Sequence, residues 1–161
     1  MKQNIIFSFS AIILMVIGCQ SPQEGHLTDV QKQQIKSEIT QVMHELLHPG
    51  DTLHLMDYLS YYQIDRDAAI AMDGYIIKGR TVMRQYLEEL IDGVRTVDTK
   101  LHEMHIRVVT KDVAIVSFRS NELAYYYDGD TIPSEGSYQC VFQRINKHWK
   151  IISSAGAHVK E

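Results

Sequence analysis

Cysteine is scarce in this chain, and clustered positive charge is missing from it. The 161 residues hold two cysteines, Cys19 and Cys140. If Cys19 is committed elsewhere, Cys140 has no partner, and an internal disulfide is excluded even in an oxidising compartment. Cys140 then reads as a buried small hydrophobe, because Tyr138-Gln139-Cys140-Val141-Phe142 alternates like a strand. The 16 basic residues are outnumbered by 20 acidic ones and form no block. Nucleic-acid binding therefore lacks its electrostatic footprint, and nothing in the charge pattern draws the chain to anionic lipid. Internal repeats and low-complexity segments are absent as well. The long apolar run, 5–17, is too short for a comfortable membrane span.

What is present begins at the N-terminus. Lys2 gives a short positive region, the apolar run follows, and Val16-Ile17-Gly18 leads into Cys19. The order fits a signal peptide. Its ending resembles a bacterial lipobox, which implies that Cys19 is lipidated, for instance with palmitate, and becomes the first mature residue. The expected division is a signal peptide over 1–18, a lipidated cysteine and tether over 19–27, and one domain over 28–158. Ser21, Pro22 and Gly25 suit the tether. Acyl chains together would anchor the chain to a membrane of the bacterial envelope. Gln20 is not the aspartate that retains lipoproteins in some inner membranes, which points to the outer membrane. Losing Lys2 leaves 15 basic and 20 acidic residues.

Thr28-Asp29-Val30-Gln31 has the form of a capping box. Ile35, Ile39, Val42, Met43 and Leu46 follow at helical spacing, and Pro49-Gly50 ends that helix at His48. Asp51 can cap a second, shorter helix to about Tyr58. Residues 67–72 and 75–78 read as strands joined by Asp73-Gly74, a two-residue turn that needs positive φ. Val82, Met83, Tyr86, Leu87, Leu90 and Ile91 mark a third amphipathic helix, stopped by Gly93. Strands are expected over 97–110, 113–127, 135–145 and 149–155. Helices first and an antiparallel meander second predict an α+β domain.

The order of helix, Gly50-Asp51, short helix, hairpin, Lys78-Gly79-Arg80 and a meander closing on His148-Trp149-Lys150-Ile151-Ile152 resembles the nuclear transport factor 2-like superfamily, SnoaL-like group. The resemblance implies three N-terminal helices packed on a curved antiparallel sheet, a cone with a pocket at its wide end. It also implies a homodimer through the outer sheet face. Members include isomerases, cyclases and dehydratases, and others bind without catalysis, so the fold does not select the function.

The steroid isomerases of that superfamily use a carboxylate base, a tyrosine and a protonated acid. Met43, Ile70 or Met72, and Val141 occupy those positions here. Asp73 lies close to the base position, although the turn already explains it. Tyr58, Tyr61, Tyr62 and Tyr86 are expected near the pocket mouth, with Tyr138 and Phe142 along a lining strand. Ser153 and Ala155 share the alternation of Trp149, which makes Ser153 the polar group offered by the last strand, and His158 falls near a loose C-terminus. Arg119 interrupts an apolar strand and reads as outward. The pocket-lining candidates are Tyr58, Tyr62, Asp73, Tyr86, Tyr138, Phe142 and Ser153. They suit a small apolar or aromatic ligand.

His44-Glu45-Leu46-Leu47-His48 matches the zinc peptidase motif, and His54 stands at the third-ligand spacing. At about 100° per residue, however, the apolar face centres near Ile35, Ile39 and Leu46 and turns both helical histidines to solvent. Asp51 also stands where the extended motif wants glycine. His44, His48 and His54 are therefore rejected as metal ligands, and no cofactor is expected. His102 and His105 are three apart on a strand and face opposite sides. Three functions emerge in order: a non-catalytic binding module, an isomerase, cyclase or lyase working through the pocket, and a zinc peptidase.

Overall fold

The computed structural model describes residues 26–48, 50, 54–64 and 68–159. The expected signal segment 1–18, Cys19, most of the expected tether, Asp51 and the expected strand start at Asp67 lie outside the described residues. The first helix, α1, spans Asp29–Leu47. It starts where the side chains predict. Thr28 Oγ1 accepts from the Gln31 N–H at 3.2 Å, and Gln31 Oε1 accepts from the Thr28 N–H at 2.8 Å. Ile35, Ile39, Met43 and Leu46 form its buried stripe. Helix α2, Leu55–Ser60, is short and has His54, not the expected Asp51, at its N-cap. Its end is tied to the sheet by main-chain bonds between Tyr61, Gln63 and Ile151.

Strands β1 (Ala69–Met72) and β2 (Tyr75–Lys78) form the expected hairpin. Asp73 has φ +49° and Gly74 φ +89°, the left-handed pair that such a turn demands. Helix α3, Arg80–Leu90, follows and buries Met83 and Leu87. Four long strands complete the chain: β3 (Val94–Thr110), β4 (Val113–Tyr126), β5 (Thr131–Ile145) and β6 (His148–His158). Strands β3, β5 and β6 begin or end a few residues beyond the expected limits, β4 ends one residue short, and the order across the sheet is β2-β1-β6-β5-β4-β3. All pairs are antiparallel except β1 with β6, which run parallel.

The main core lies between α1 and the sheet, with Ile39 and Met43 clustered with Val116, Phe142, Trp149 and Ile151. A smaller core joins α2 and α3 to β1 through Leu59, Ile70, Met83 and Leu87. Each such side chain contributes about 1.5–3 kcal/mol by leaving water.

One irregularity in β6 decides which of its side chains face inward. Val141 pairs with Ser153, but Phe142 pairs with Ile151, so Ile152 is an extra residue in β6. The alternation running through Trp149 and Ile151 therefore changes parity at Ile152. Ser154, Gly156 and His158 continue the inner side in place of the expected Ser153.

A polar clamp also joins helix to sheet. Glu38 Oε2 accepts from Arg144 Nη2 at 2.6 Å and from Trp149 Nε1 at 2.9 Å. The guanidinium lies 4.6 Å from the centre of the Trp149 ring. The Trp149 bond above all, with help from Gln34 and Arg144 and against partial burial, holds the Glu38 carboxyl below its ordinary range. A carboxyl lowered on folding stabilises the fold above its unfolded pKa, and this contribution is lost as pH falls through the lowered value. Glu38→Gln is expected to cost about 1 kcal/mol at neutral pH. In urea melts run at decreasing pH, the gap from wild type should close on the acid side of the ordinary carboxylate range.

Candidate functional site

A cavity of about 330 Å³ opens at the end of the sheet where β3 and β5 begin and β4 and β6 end. The α1 and α3 C-terminal turns close its sides through Leu46, Leu47, Leu90 and Ile91. Six phenylalanine or tyrosine side chains line it: Tyr58, Tyr62, Tyr86, Phe118, Tyr126 and Tyr138. The polar groups among them are Thr99, Glu122, Ser134, Ser154 and His158, with the Cys140 thiol.

Strand parity explains the wall. Along β4, Ala114, Val116 and Phe118 are buried in the main core. Ser120 is fully buried, and Glu122, Ala124 and Tyr126 continue the same side past the end of α1. That alternation is the sequence signal that places Glu122 inward, although sequence reasoning missed it as a site residue. Its Oε1 accepts from Ser120 Oγ at 3.0 Å.

Tyr138 occupies the middle of the wall. Its ring stacks on Phe118 at 5.1 Å and meets the His158 ring edge-on at 5.8 Å. The ring lies over two glycines. A Cβ on Gly136 or on Gly156 would overlap it. Tyr58 and Tyr62, one helical turn apart, have hydroxyls 3.4 Å from each other. Burial pushes the Tyr58 phenol up to about 12, and it also raises Tyr62, Tyr86 and Tyr138. These phenols are neutral hydrogen-bond donors at ordinary pH. Burial alone raises the Cys140 thiol to about 12, which makes it a poor nucleophile.

At the rim, Asp73 Oδ2 lies 2.7 Å from His158 Nδ1, and Asp73 Oδ1 accepts from the His158 N–H at 2.8 Å. Asp73 thus serves both the turn and the site. His158 is held by strand pairing with Gly136 and by this carboxylate. The expectation of a loose end at His158 gives way to an ordered one. A carboxylate on Nδ1 fixes the tautomer that leaves Nε2 as the proton acceptor.

Tyr58, Tyr62, Tyr86 and Tyr138 thus border the cavity, and Asp73 stands at its edge through His158. Phe142 does not border it. Phe142 is fully buried under α1 in the main core, two residues deeper than Cys140. Ser153 does not border it either, because the extra residue at Ile152 gives the inner place to Ser154. Tyr61 packs against the main core. Arg119 is exposed on the outer face. His44, His48 and His54 are exposed, with the rings of His44 and His48 4.7 Å apart. Among the described residues no three metal-ligating side chains converge.

No protein-family model and no curated protein matches the sequence. Solved structures do match. A protein of Novosphingobium aromaticivorans provisionally described as a scytalone dehydratase is similar at TM-score 0.70 and 14% identity, over 83% of this chain and 89% of that one. A protein of Streptomyces avermitilis, provisionally described as a dehydratase of the NTF2-like family, is similar at TM-score 0.63 and 16% identity, over 84% of this chain and 100% of that one. The association domain of C. elegans CaMKII is similar at TM-score 0.61 and 19% identity, over 80% of this chain and 98% of that one. The fold is therefore the nuclear transport factor 2-like cone that the sequence resemblance implies.

Gly156→Ala should drive the Tyr138 ring off its seat and cost about 1–3 kcal/mol. The same change made beside Tyr138→Leu should cost clearly less. Chemical denaturation of the four proteins in that double-mutant cycle measures the coupling. Independent, additive costs would show that the ring does not rest on Gly156.

Proposed function

We infer that this cone binds a small ring-bearing molecule in its cavity, while acyl chains on Cys19 hold it at a bacterial envelope membrane. The cavity carries the first half of that reading. Its volume of about 330 Å³ suits a molecule of two or three rings, and its wall is mostly apolar, with six Phe or Tyr rings and a few placed polar groups. The signal-like segment ending at Cys19 supports the second half. A second copy of the chain is the expected protein partner, in line with the likeness to an association domain. Binding does not require turnover.

Ala124, on the inner side of β4, offers a way to fill the space. Isothermal titration of bicyclic ring compounds (naphthalene, indole and quinoline derivatives) should find one site per chain. Ala124→Trp should weaken it about tenfold or more. Binding that Ala124→Trp leaves untouched, or none across the series, would overturn the reading. Cys19→Ser should move the protein from the membrane to the soluble fraction of the producing cell.

The Asp73–His158 pair favours a second reading, an enzyme of isomerase, cyclase or lyase type. An imidazole base held by a carboxylate can take a proton next to a carbonyl, and neutral phenols can steady the oxygen that gains charge. The likeness to proteins described as dehydratases agrees with this chemistry. The probe is 2-tetralone, a bicyclic ketone, in heavy water. Catalysed exchange of its α protons, seen by NMR, should fall about a hundredfold or more in His158→Gln and in Asp73→Asn. Asparagine tolerates the positive φ of that turn. Exchange no faster than in buffer leaves the cavity as a binding site alone.

A further inference from the structure

The charge of the cavity wall is one-sided. Among the described residues that line it, Glu122 is the carboxylate, and no lysine or arginine stands with it. Nor does any cation among the described residues form an ion pair with Glu122. Its hydrogen bond comes from the neutral Ser120 hydroxyl. The carboxylate acts electrostatically on Tyr58 in α2 and on Tyr138 in the neighbouring strand, adding to burial in raising both phenols. The Asp73–His158 pair at the rim does not offset it. That pair is neutral overall when His158 is protonated and carries one further negative charge when it is not.

A ligand entering this space displaces water from around Glu122. An anion would meet an uncompensated like charge in a medium of low dielectric. A neutral molecule would leave the carboxylate desolvated and short of donors. A cation supplies the missing partner, and aromatic faces attract cations too. The same rings would pack the ligand's own ring.

We propose that the cavity selects a ring-bearing amine, with its ammonium group paired to the Glu122 carboxylate. This rests on the reading that the cavity binds small ring-bearing molecules, and the test separates the two. Three probes share one ring system and differ in head group: naphthalen-1-ylmethylamine, naphthalene-1-methanol and 1-naphthoate. Each is titrated calorimetrically into the full chain at neutral pH and moderate salt. The amine should bind roughly tenfold or more tighter than the alcohol, as a charge-assisted bond warrants, and the carboxylate should bind worst.

Glu122→Gln keeps the size of the side chain and an oxygen for the Ser120 hydroxyl. It should abolish the amine's advantage over the alcohol. If amine and alcohol bind alike, or if the carboxylate binds best, the amine proposal is wrong and the cavity remains a binding site. An amine preference that survives in Glu122→Gln also overturns it. If no probe binds while Ala124→Trp and wild type behave alike, the cavity reading itself fails and takes the proposal with it.

Discussion

The curved sheet presents one inner face to two different neighbours, and strand parity decides what each of them meets. Over half its length that face lies under α1, and over the other half it faces the cavity. Strand β4 shows both duties on one side of one strand. Ala114 and Val116 serve the core, Phe118 borders both, and Glu122, Ala124 and Tyr126 serve the cavity. A helix one or two turns longer would cover that second half and leave a solid core. The ending of α1 at Leu47 is therefore as much a part of the site as any side chain in it. Parity also explains why a single extra residue matters. The bulge at Ile152 lets Trp149 and Ile151 fill the core while Ser154 and His158 reach the cavity. Without it, Ser153 would take the inner place of Ser154, and the His158 side chain would turn away from Asp73.

The cavity end is held at an energetic cost, and the rest of the molecule supplies the stability that offsets it. Empty volume forfeits packing contacts, and a carboxylate half-buried among rings loses hydration. Ser120, fully buried, directs its hydroxyl to Glu122. The two glycines under Tyr138 give up side-chain packing so that a large ring can lie against the sheet. These choices run against a well-filled core, which is where sites with a function depart from the general rules. The compensation lies at the other end of the cone, in the buried stripe of α1 and the clamp of Glu38, Arg144 and Trp149.

Much of the architecture is legible in the sequence because its signals are local. The Thr28–Gln31 box, the spacing from Ile35 to Leu46, the Asp73-Gly74 turn and the Gly79 break each act over a few residues. The order of those elements is enough to point to the cone. The site is less legible, because it depends on pairing between distant segments. Tyr58, Tyr62 and Tyr86 follow from the resemblance, Tyr138 from the resemblance and its strand alternation, and all four reach the cavity. Plain alternation puts Ser153 inward, and nothing local marks Ile152 as the extra residue that turns it away. Phe142 lies on the correct face but too deep, since depth along a strand depends on where the covering helix ends. Nearness to the terminus suggests a loose His158, whereas its order comes from Asp73, 85 residues earlier.

That long-range contact also joins the hairpin turn to the cavity rim. The shared fold spans proteins described as dehydratases and an association domain, so the scaffold alone is silent on turnover. The parallel pairing of β1 with β6 brings the hairpin turn beside the end of the last strand, and Met72 opposite Gly156 sets the register. The turn needs a residue that accepts positive φ, and aspartate meets that need better than most. Glycine or asparagine would meet it as well. Neither would supply a carboxylate to fix the tautomer of His158. Turn geometry therefore accounts for a small polar residue at position 73, and the contact with His158 gives a reason for an acid there.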